Sequence, residues 1–111
     1  MIEKANSKPL LAPVMVIIPA GTTRVISFPN EFMGEAISIL ISNLDAANIA
    51  TYQIGGQNQP ILTLSTGAFR GIDDTKIKLI SVTAGAAGAV QVEAQVQQYN
   101  LGQVQQWVFP V

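Results

Sequence analysis

The side chains best placed to do chemistry are the carboxylates of Asp73 and Asp74, which form the only adjacent acidic pair in the chain. Carboxylate oxygens suit hard cations such as calcium, but calcium requires six or more oxygen ligands, and no ligand-rich loop surrounds this pair. Aspartates before a strand commonly hydrogen-bond the local backbone of a turn. We therefore interpret the pair as a turn, not as a metal site.

Histidine and cysteine are both absent from the 111 residues. Their absence excludes Ser-His-Asp triads, Cys-His pairs and zinc sites built on imidazole or thiolate. The other carboxylates show no spacing typical of an acid/base pair; they are Glu3, Glu31, Glu35, Asp45 and Glu93. We therefore predict a protein that is not an enzyme and that uses no cofactor or metal.

Charged residues make up only 12% of the chain, whereas about a quarter is usual in soluble domains. Much of the exterior must therefore consist of amides, hydroxyls and aliphatic carbon, which favours burial against neighbouring subunits. The net charge is −1 and the six cations are dispersed, so nucleic-acid binding is not expected. We also expect no targeting segment and no membrane span, because the apolar stretch Val14–Ile18 is much shorter than the roughly 20 residues a span requires.

Short runs rich in Val, Ile and Thr recur between turn residues, a pattern typical of an all-β sandwich or barrel. Eight strands are predicted, at Val14–Ile18, Thr22–Phe28, Ala36–Asn43, Ile49–Gly55, Ile61–Ser65, Ala68–Ile72, Lys76–Thr83 and Gly88–Gln97. The first two are predicted at or near sheet edges, the third is predicted to be central, and residues 31–34 are predicted to form one helical turn. The domain boundaries that follow are an N-terminal arm at 1–13, a β-sandwich at 14–99 and a C-terminal arm at 100–111.

Three strands carry specific expectations about their faces. In Ala36–Asn43, Ile37, Ile39 and Ile41 are predicted to share one face. In Lys76–Thr83, apolar residues occupy both faces, which indicates either a bulge or, as we favour, two covered faces. Strict alternation in Gly88–Gln97 predicts Val90, Val92, Ala94 and Val96 in the core, with Gln91, Glu93, Gln95 and Gln97 outside.

Amide-rich and aromatic residues near the C-terminus are the candidate interface. Amides can be buried at a contact without the desolvation penalty that ions incur. The candidates are Gln91, Gln95, Gln97, Trp107 and Phe109. Each terminal arm either packs on its own sandwich or exchanges onto a neighbour, and the turn 85–88 is either flexible or packed on another subunit.

One pattern in the sequence resembles a known class of proteins. The segment 36–96 contains AISILISN, then ATYQIGGQNQPILTLSTGAFRGI, then KIKLISVTAGAAGAVQVEAQV. This layout resembles the small jelly-roll structural proteins of bacteriophages, including penton proteins and minor or decorating capsid proteins. The resemblance implies an eight-stranded jelly-roll sandwich of two four-stranded sheets, cyclic homo-oligomers and no catalytic residue.

These observations predict a non-enzymatic structural protein of the virion, a capsid, vertex or decoration component whose partners are itself and other virion proteins. An alternative is a carbohydrate- or receptor-binding β-sandwich module. Its site would lie in loops near residues 55–60 and 85–88, at one end of the sandwich, with exposed aromatic side chains clustered there.

Overall fold

The protein is built from eight strands and one short helix in the part of the chain that the structure describes. That structure, a computed structural model, describes residues 10–99, without the side chains of residues 74 and 75. The elements are β1 Leu11–Ile18, β2 Thr23–Ser27, α1 Phe28–Phe32, β3 Gly34–Asn43, β4 Ala50–Ile54, β5 Leu62–Leu64, β6 Phe69–Ile77, β7 Leu79–Thr83 and β8 Val90–Gln98.

The strands form two four-stranded antiparallel sheets with interlocking connections. The first sheet has the order β1-β8-β3-β6 and the second has the order β2-β7-β4-β5. Strand pairs nest from the ends of the chain inward, β1 with β8, β2 with β7, β3 with β6 and β4 with β5. The fold is a jelly-roll β-sandwich, as predicted. The predicted edge positions of β1 and β2 and the internal position of β3 are confirmed.

The core lies between the inward faces of the two sheets, and β8 provides its most regular row. Val90, Val92, Ala94 and Val96 are all buried, whereas the residues between them are exposed or half-buried. The alternation predicted from the sequence is therefore confirmed. Opposite them, the second sheet contributes buried residues such as Ile26, Ile80 and Val82. Burial of these aliphatic side chains supplies the main favourable term in folding.

The predicted face of β3 is wrong at one position, because the strand contains a bulge. The register with β8 shifts between Ala36 and Ser38, so Ile37 is an extra residue in β3. A bulge of one residue reverses which side chains point inward. Ala36 therefore takes the core position, Ile37 is half-buried, and Ile39 and Ile41 are buried as expected.

The turn predicted at Asp73 and Asp74 is also wrong, since β6 continues through both residues to Ile77. The chain crosses from the first sheet to the second at Lys78, between β6 and β7. This crossing explains the apolar residues on both faces of the predicted strand 76–83. Ile77 faces the core from one sheet and Ile80 faces it from the other, so neither a phase-shifting bulge nor a doubly covered strand is needed.

Strand β1 begins at Leu11, three residues before the predicted sandwich boundary at residue 14. The last residues of the predicted N-terminal arm, 11–13, therefore belong to the sandwich, and Pro13 pairs with Gln95. The amide of Gln98 donates to the carbonyl of Leu10, which places the even-numbered residues of β1 in hydrogen-bonded pairs with β8. The missing N–H of Pro13 therefore lies on the free side of the edge strand and costs no ladder hydrogen bond.

Within the described residues, the helix runs from Phe28 to Phe32 and so begins three residues before the predicted turn at 31–34. Pro29 lies in its first turn, where a missing N–H is tolerated, and Phe28 anchors it in the core. Met33 ends the helix in the left-handed region, with a φ of 58°. Within residues 10–99, no helix is long and apolar enough to cross a membrane.

Close contact between β3 and β8 yields a first prediction, at Gly34. A β-carbon at this position would lie 2.3 Å from the carbonyl oxygen of Gln97, and both backbones are held by the ladder. We expect Gly34→Ala to lower the free energy of unfolding by about 1–3 kcal/mol, as overpacking typically does, measured by urea denaturation. Gly71→Ala is the control, because no atom lies within 4 Å of the added methyl group. Equal stability of the two variants would contradict the packing argument.

Candidate interaction surface

The outer face of the first sheet carries three of the predicted interface residues. Gln91, Gln95 and Gln97 all project from the solvent side of β8, Gln95 exposed and the other two half-buried. The structure therefore brings these three side chains onto one surface. Trp107 and Phe109, the other two predicted residues, lie outside the described residues.

An apolar row from β1 lies beside these amides. In the β1·β8 register, Leu11 is opposite Gln97, Met15 is opposite Glu93, and Ile17 is opposite Gln91. Leu11 and Met15 are each 60% exposed. Large aliphatic side chains of an edge strand are therefore presented to solvent along its whole length.

The other side of β8 is lined by β3, with small polar residues around one leucine. Ser38 and Leu40 lie opposite Gln95 and Glu93, and Leu40 faces Gly71 of β6 across the next ladder. Gly71 has no side chain to cover Leu40, so the leucine stays partly exposed. At the end of the same face, Phe69 is 73% exposed.

A shallow depression of about 350 Å³ lies over β8, between the outward side chains of β1 and β3. Its lining consists of Pro13, Val14, Met15, Ser38, Leu40, Glu93, Ala94 and Gln95. The walls are mainly apolar and the floor offers an amide, a hydroxyl and one carboxylate. This volume is near the lower end of the roughly 300–1,000 Å³ that is typical of ligand pockets, so the depression suits one large side chain.

Three carboxylates near this face, those of Glu93, Asp73 and Glu35, have polar neighbours. The Gln91 Nε2 atom donates to Glu93 Oε1 at 2.7 Å, and the Ser38 hydroxyl donates to Asp73 Oδ1 at 2.8 Å. The Lys78 Nζ atom lies 3.7 Å from Glu35 Oε2. The face therefore offers apolar contact and amide hydrogen bonds, which suits binding more than proton transfer.

Sequence reasoning missed the β1 half of this surface. Every residue of LAPVMVII is apolar, so no alternation distinguishes the inward side from the outward side. The signal available in the sequence was a proline within an uncharged, apolar run of eight residues. Only the pairing with β8 determines that Leu11, Met15 and Ile17 face outward.

A second polar feature, around Asp45, lies buried at one end of the sandwich. Asp45 is 1% exposed, and its carboxylate accepts four hydrogen bonds. The donors are the amides of Ala47 at 2.7 Å, Asn48 at 2.9 Å and Ala87 at 3.0 Å, together with the Asn48 side chain at 3.0 Å. These bonds, first that from the Asn48 side chain and then that from Ala47, lower the pKa of Asp45 from 3.8 to about 2, against the opposing effect of burial.

The cluster around Asp45 fastens loops of the same chain to one another. The buried Asn43 side chain donates to the carbonyls of Asn48 and Ser65, while its own oxygen accepts from the Asp45 amide. At Gly88, a β-carbon would lie 2.5 Å from the α-carbon of Asp45. The turn 85–88 is thus packed on its own chain, a third possibility beyond the flexible loop and the subunit contact expected from the sequence.

The loops expected to form a binding site in the alternative function do not lie together. Gly55 donates to the carbonyl of Leu79, at the start of β7, whereas Gly21 donates to the carbonyl of Gly85, just beyond the end of β7. The two loops are therefore at opposite ends of that strand, and neither contains an aromatic residue. The expectation of a shared site at one end of the sandwich is wrong.

Comparison with known proteins gives likeness of fold only. No protein-family model matches the chain, and no curated protein matches it in sequence. Among the described residues, no group of three or more acidic, histidine or cysteine side chains could hold a metal ion.

The chain is similar to several solved structures at low identity, with TM-scores below 0.5. A subunit of Bacillus endospore appendages, which form disulfide-linked pili, is 15% identical, with a TM-score of 0.47 over 85% of this chain and 94% of that one. The hydroxypropylphosphonic acid epoxidase of S. wedmorenis is 17% identical, with a TM-score of 0.45; the match covers 78% of this chain and 43% of the epoxidase. A cupin domain of an Enterobacter cloacae transcriptional regulator is 12% identical, with a TM-score of 0.44 over 80% of this chain and 81% of that one.

The Asp45 cluster yields a prediction about acid stability. The folded protein holds the pKa of Asp45 below its ordinary value of 3.8, so the ionised carboxylate contributes stability above that pH. This contribution is lost as the pH falls through about 2. We expect Asp45→Asn to be less stable than the wild type at pH 7 and to lose less further stability on acidification, measured by urea midpoints from pH 7 down to about 2.

Asp73→Asn is the matched control, because it removes an exposed carboxylate and leaves Asp45 with its four donors. We expect this variant still to lose, on acidification, the stability that the ionised Asp45 carboxylate contributes. If Asp45→Asn instead retains the full acid dependence of the wild type, the role assigned to the buried carboxylate is wrong.

Proposed function

We propose that this protein is a non-enzymatic structural subunit that works by self-association and docking within a larger particle. The observation that carries the proposal is the uncharged edge of β1, with which no further strand of residues 10–99 pairs, together with the apolar and amide-rich outer face of the first sheet. The particle proposed is a virion, and the subunit is a capsid, vertex or decoration component that forms cyclic homo-oligomers.

The four edge strands of the sandwich differ in a way that supports this proposal. β6 carries charged residues, including Arg70 and Lys76; β2 carries Arg24; and β5 has only three residues. Charges and short length are the usual means by which sheet edges resist pairing with other chains. β1 has eight residues and no charge, and its only protective feature is Pro13. It is therefore the edge best suited to pair with another chain.

The chemistry of the adjoining face supports the same conclusion. Lys and Glu are depleted in the buried parts of protein interfaces, where their desolvation is costly, while Met and other apolar residues are favoured. On the outward side of β1 and β8, Glu93 is the one charged residue. Burying this face against a partner thus removes aliphatic surface from water at little electrostatic cost.

The virion setting rests on the resemblance of residues 36–96 to small jelly-roll proteins of bacteriophages. The jelly-roll topology agrees with this setting, although one fold hosts many functions. The proposed action of the protein, association through β1 and the outer face, depends on the residues of this chain and not on the identity of the particle.

Self-association is tested by placing a charge on the proposed edge. We expect the wild type to be oligomeric by multi-angle light scattering and sedimentation velocity. Met15→Lys should weaken association by at least about tenfold, equivalent to roughly 1.4 kcal/mol, because a lysine would be desolvated at the contact. Val25→Lys is the matched control, since Val25 is 55% exposed on the edge strand of the other sheet. A monomeric wild type, or equal effects of both variants, would refute the proposal.

A further inference from the structure

We infer that residues 103–111 of a neighbouring copy bind as an added strand along the free edge of β1, with their aromatic side chains over the outer-face depression. This inference rests on the proposed function and names the partner of the same surface. The occupant is a defined segment of a second copy of this chain.

The edge of β1 away from β8 offers a row of backbone groups for such a strand. Because the even-numbered residues pair with β8, the N–H and C=O groups of Leu11, Met15 and Ile17 point away from the sheet. Among the described residues, no strand pairs with that side of β1. Pro13 removes one donor from the row and retains its carbonyl.

The chemistry of the C-terminal segment matches this edge. Residues 100–111 contain no charged side chain, as β1 does not. Trp107, Phe109 and Val111 recur at period two, so an extended segment places all three on one face. Segment 103–111 has nine residues, close to the eight of β1. Aromatic and β-branched residues of this kind fit the pleated surface of a sheet.

The depression lies over β8, one strand inward from the edge, and its volume would hold one aromatic side chain that reaches across β1. Met15 and Leu40 supply apolar walls, and the Gln95 amide can accept the indole N–H of Trp107. An added strand lies about 4.8 Å from β1, which brings its outward side chains next to those of Met15 and Pro13. Edge pairing and aromatic packing can therefore occur together.

The position at which the described chain ends favours a second copy over the chain's own segment. Tyr99 lies at the Leu10 end of β1, where the amide of Gln98 bonds to Leu10. From this point the chain's own segment could reach the outer side of β1 only by passing around the N-terminal end of that strand within residues 100–102. It would then run parallel to β1. A neighbour's segment can pair in the antiparallel direction, which is slightly more stable and needs no crossing.

The absence of native cysteine permits a direct test by crosslinking. Full-length Met15→Cys and Phe109→Cys proteins are mixed and treated with a short bis-maleimide, and the linked peptides are identified by mass spectrometry. We expect a covalent heterodimer at a yield at least about tenfold above that of a mixture of Val25→Cys with Phe109→Cys, because binding raises the local concentration. Val108→Cys serves as a second donor variant in case Phe109→Cys weakens folding or docking.

The remaining outcomes separate this inference from the proposed function. A double variant that carries both Met15→Cys and Phe109→Cys is treated in the same way. If its crosslinks form only within single chains, each chain binds its own C-terminal segment, and the inferred binding to a neighbouring copy is wrong. No enriched crosslink in an oligomeric protein overturns the inference and leaves self-association in place. A monomeric wild type contradicts both, because no second copy is then bound.

Discussion

The pairing of β8 with strands on both of its sides is the constraint on which the first sheet depends. From Val90 to Gln97, β8 alternates between small aliphatic residues and polar ones, three amides and Glu93, and it lies between β1 and β3 over nearly its whole length. In β1 every residue is apolar, so the hydrophobic effect alone could bury either set of side chains. The register with β8 selects the even-numbered set for the core. The same choice places Leu11, Met15 and Ile17 in solvent.

The end of the sandwich near Asp45 depends on a different interaction, a buried carboxylate whose hydrogen bonds replace water. Its four donors come from its own loop and from Ala87, so the ionised group joins segments far apart in sequence. Isolated buried charges are unfavourable, but one that accepts several amide hydrogen bonds is stabilised in its ionised form. Gly88 is required there because its lack of a side chain lets the backbone approach Asp45 closely.

The fold class and the face of β8 could be predicted from the sequence because both depend on local periodicity. What could not be predicted depends on contacts between distant residues. The bulge at Ile37 becomes visible only in the register with β8, and the strand through Asp73 overrides a strong local turn signal. The tolerance of Pro13 depends on which side of β1 is paired. In the candidate surface, the glutamines were found by alternation, whereas β1 has no alternation to detect.

Folding of this core does not explain why the edge strands of the sheets differ in charge. The core requires only the inward faces, so Leu11 and Met15 could be polar without loss of core packing. Charges on β2 and β6 disfavour pairing of those edges with other chains, and β1 could carry the same protection at no cost to the fold. An eight-residue edge without charge, beside a face of amides and exposed aliphatic side chains, is the surface that the proposed contact with another chain would bury. The contrast between edges of one molecule therefore supports assembly without any likeness to another protein.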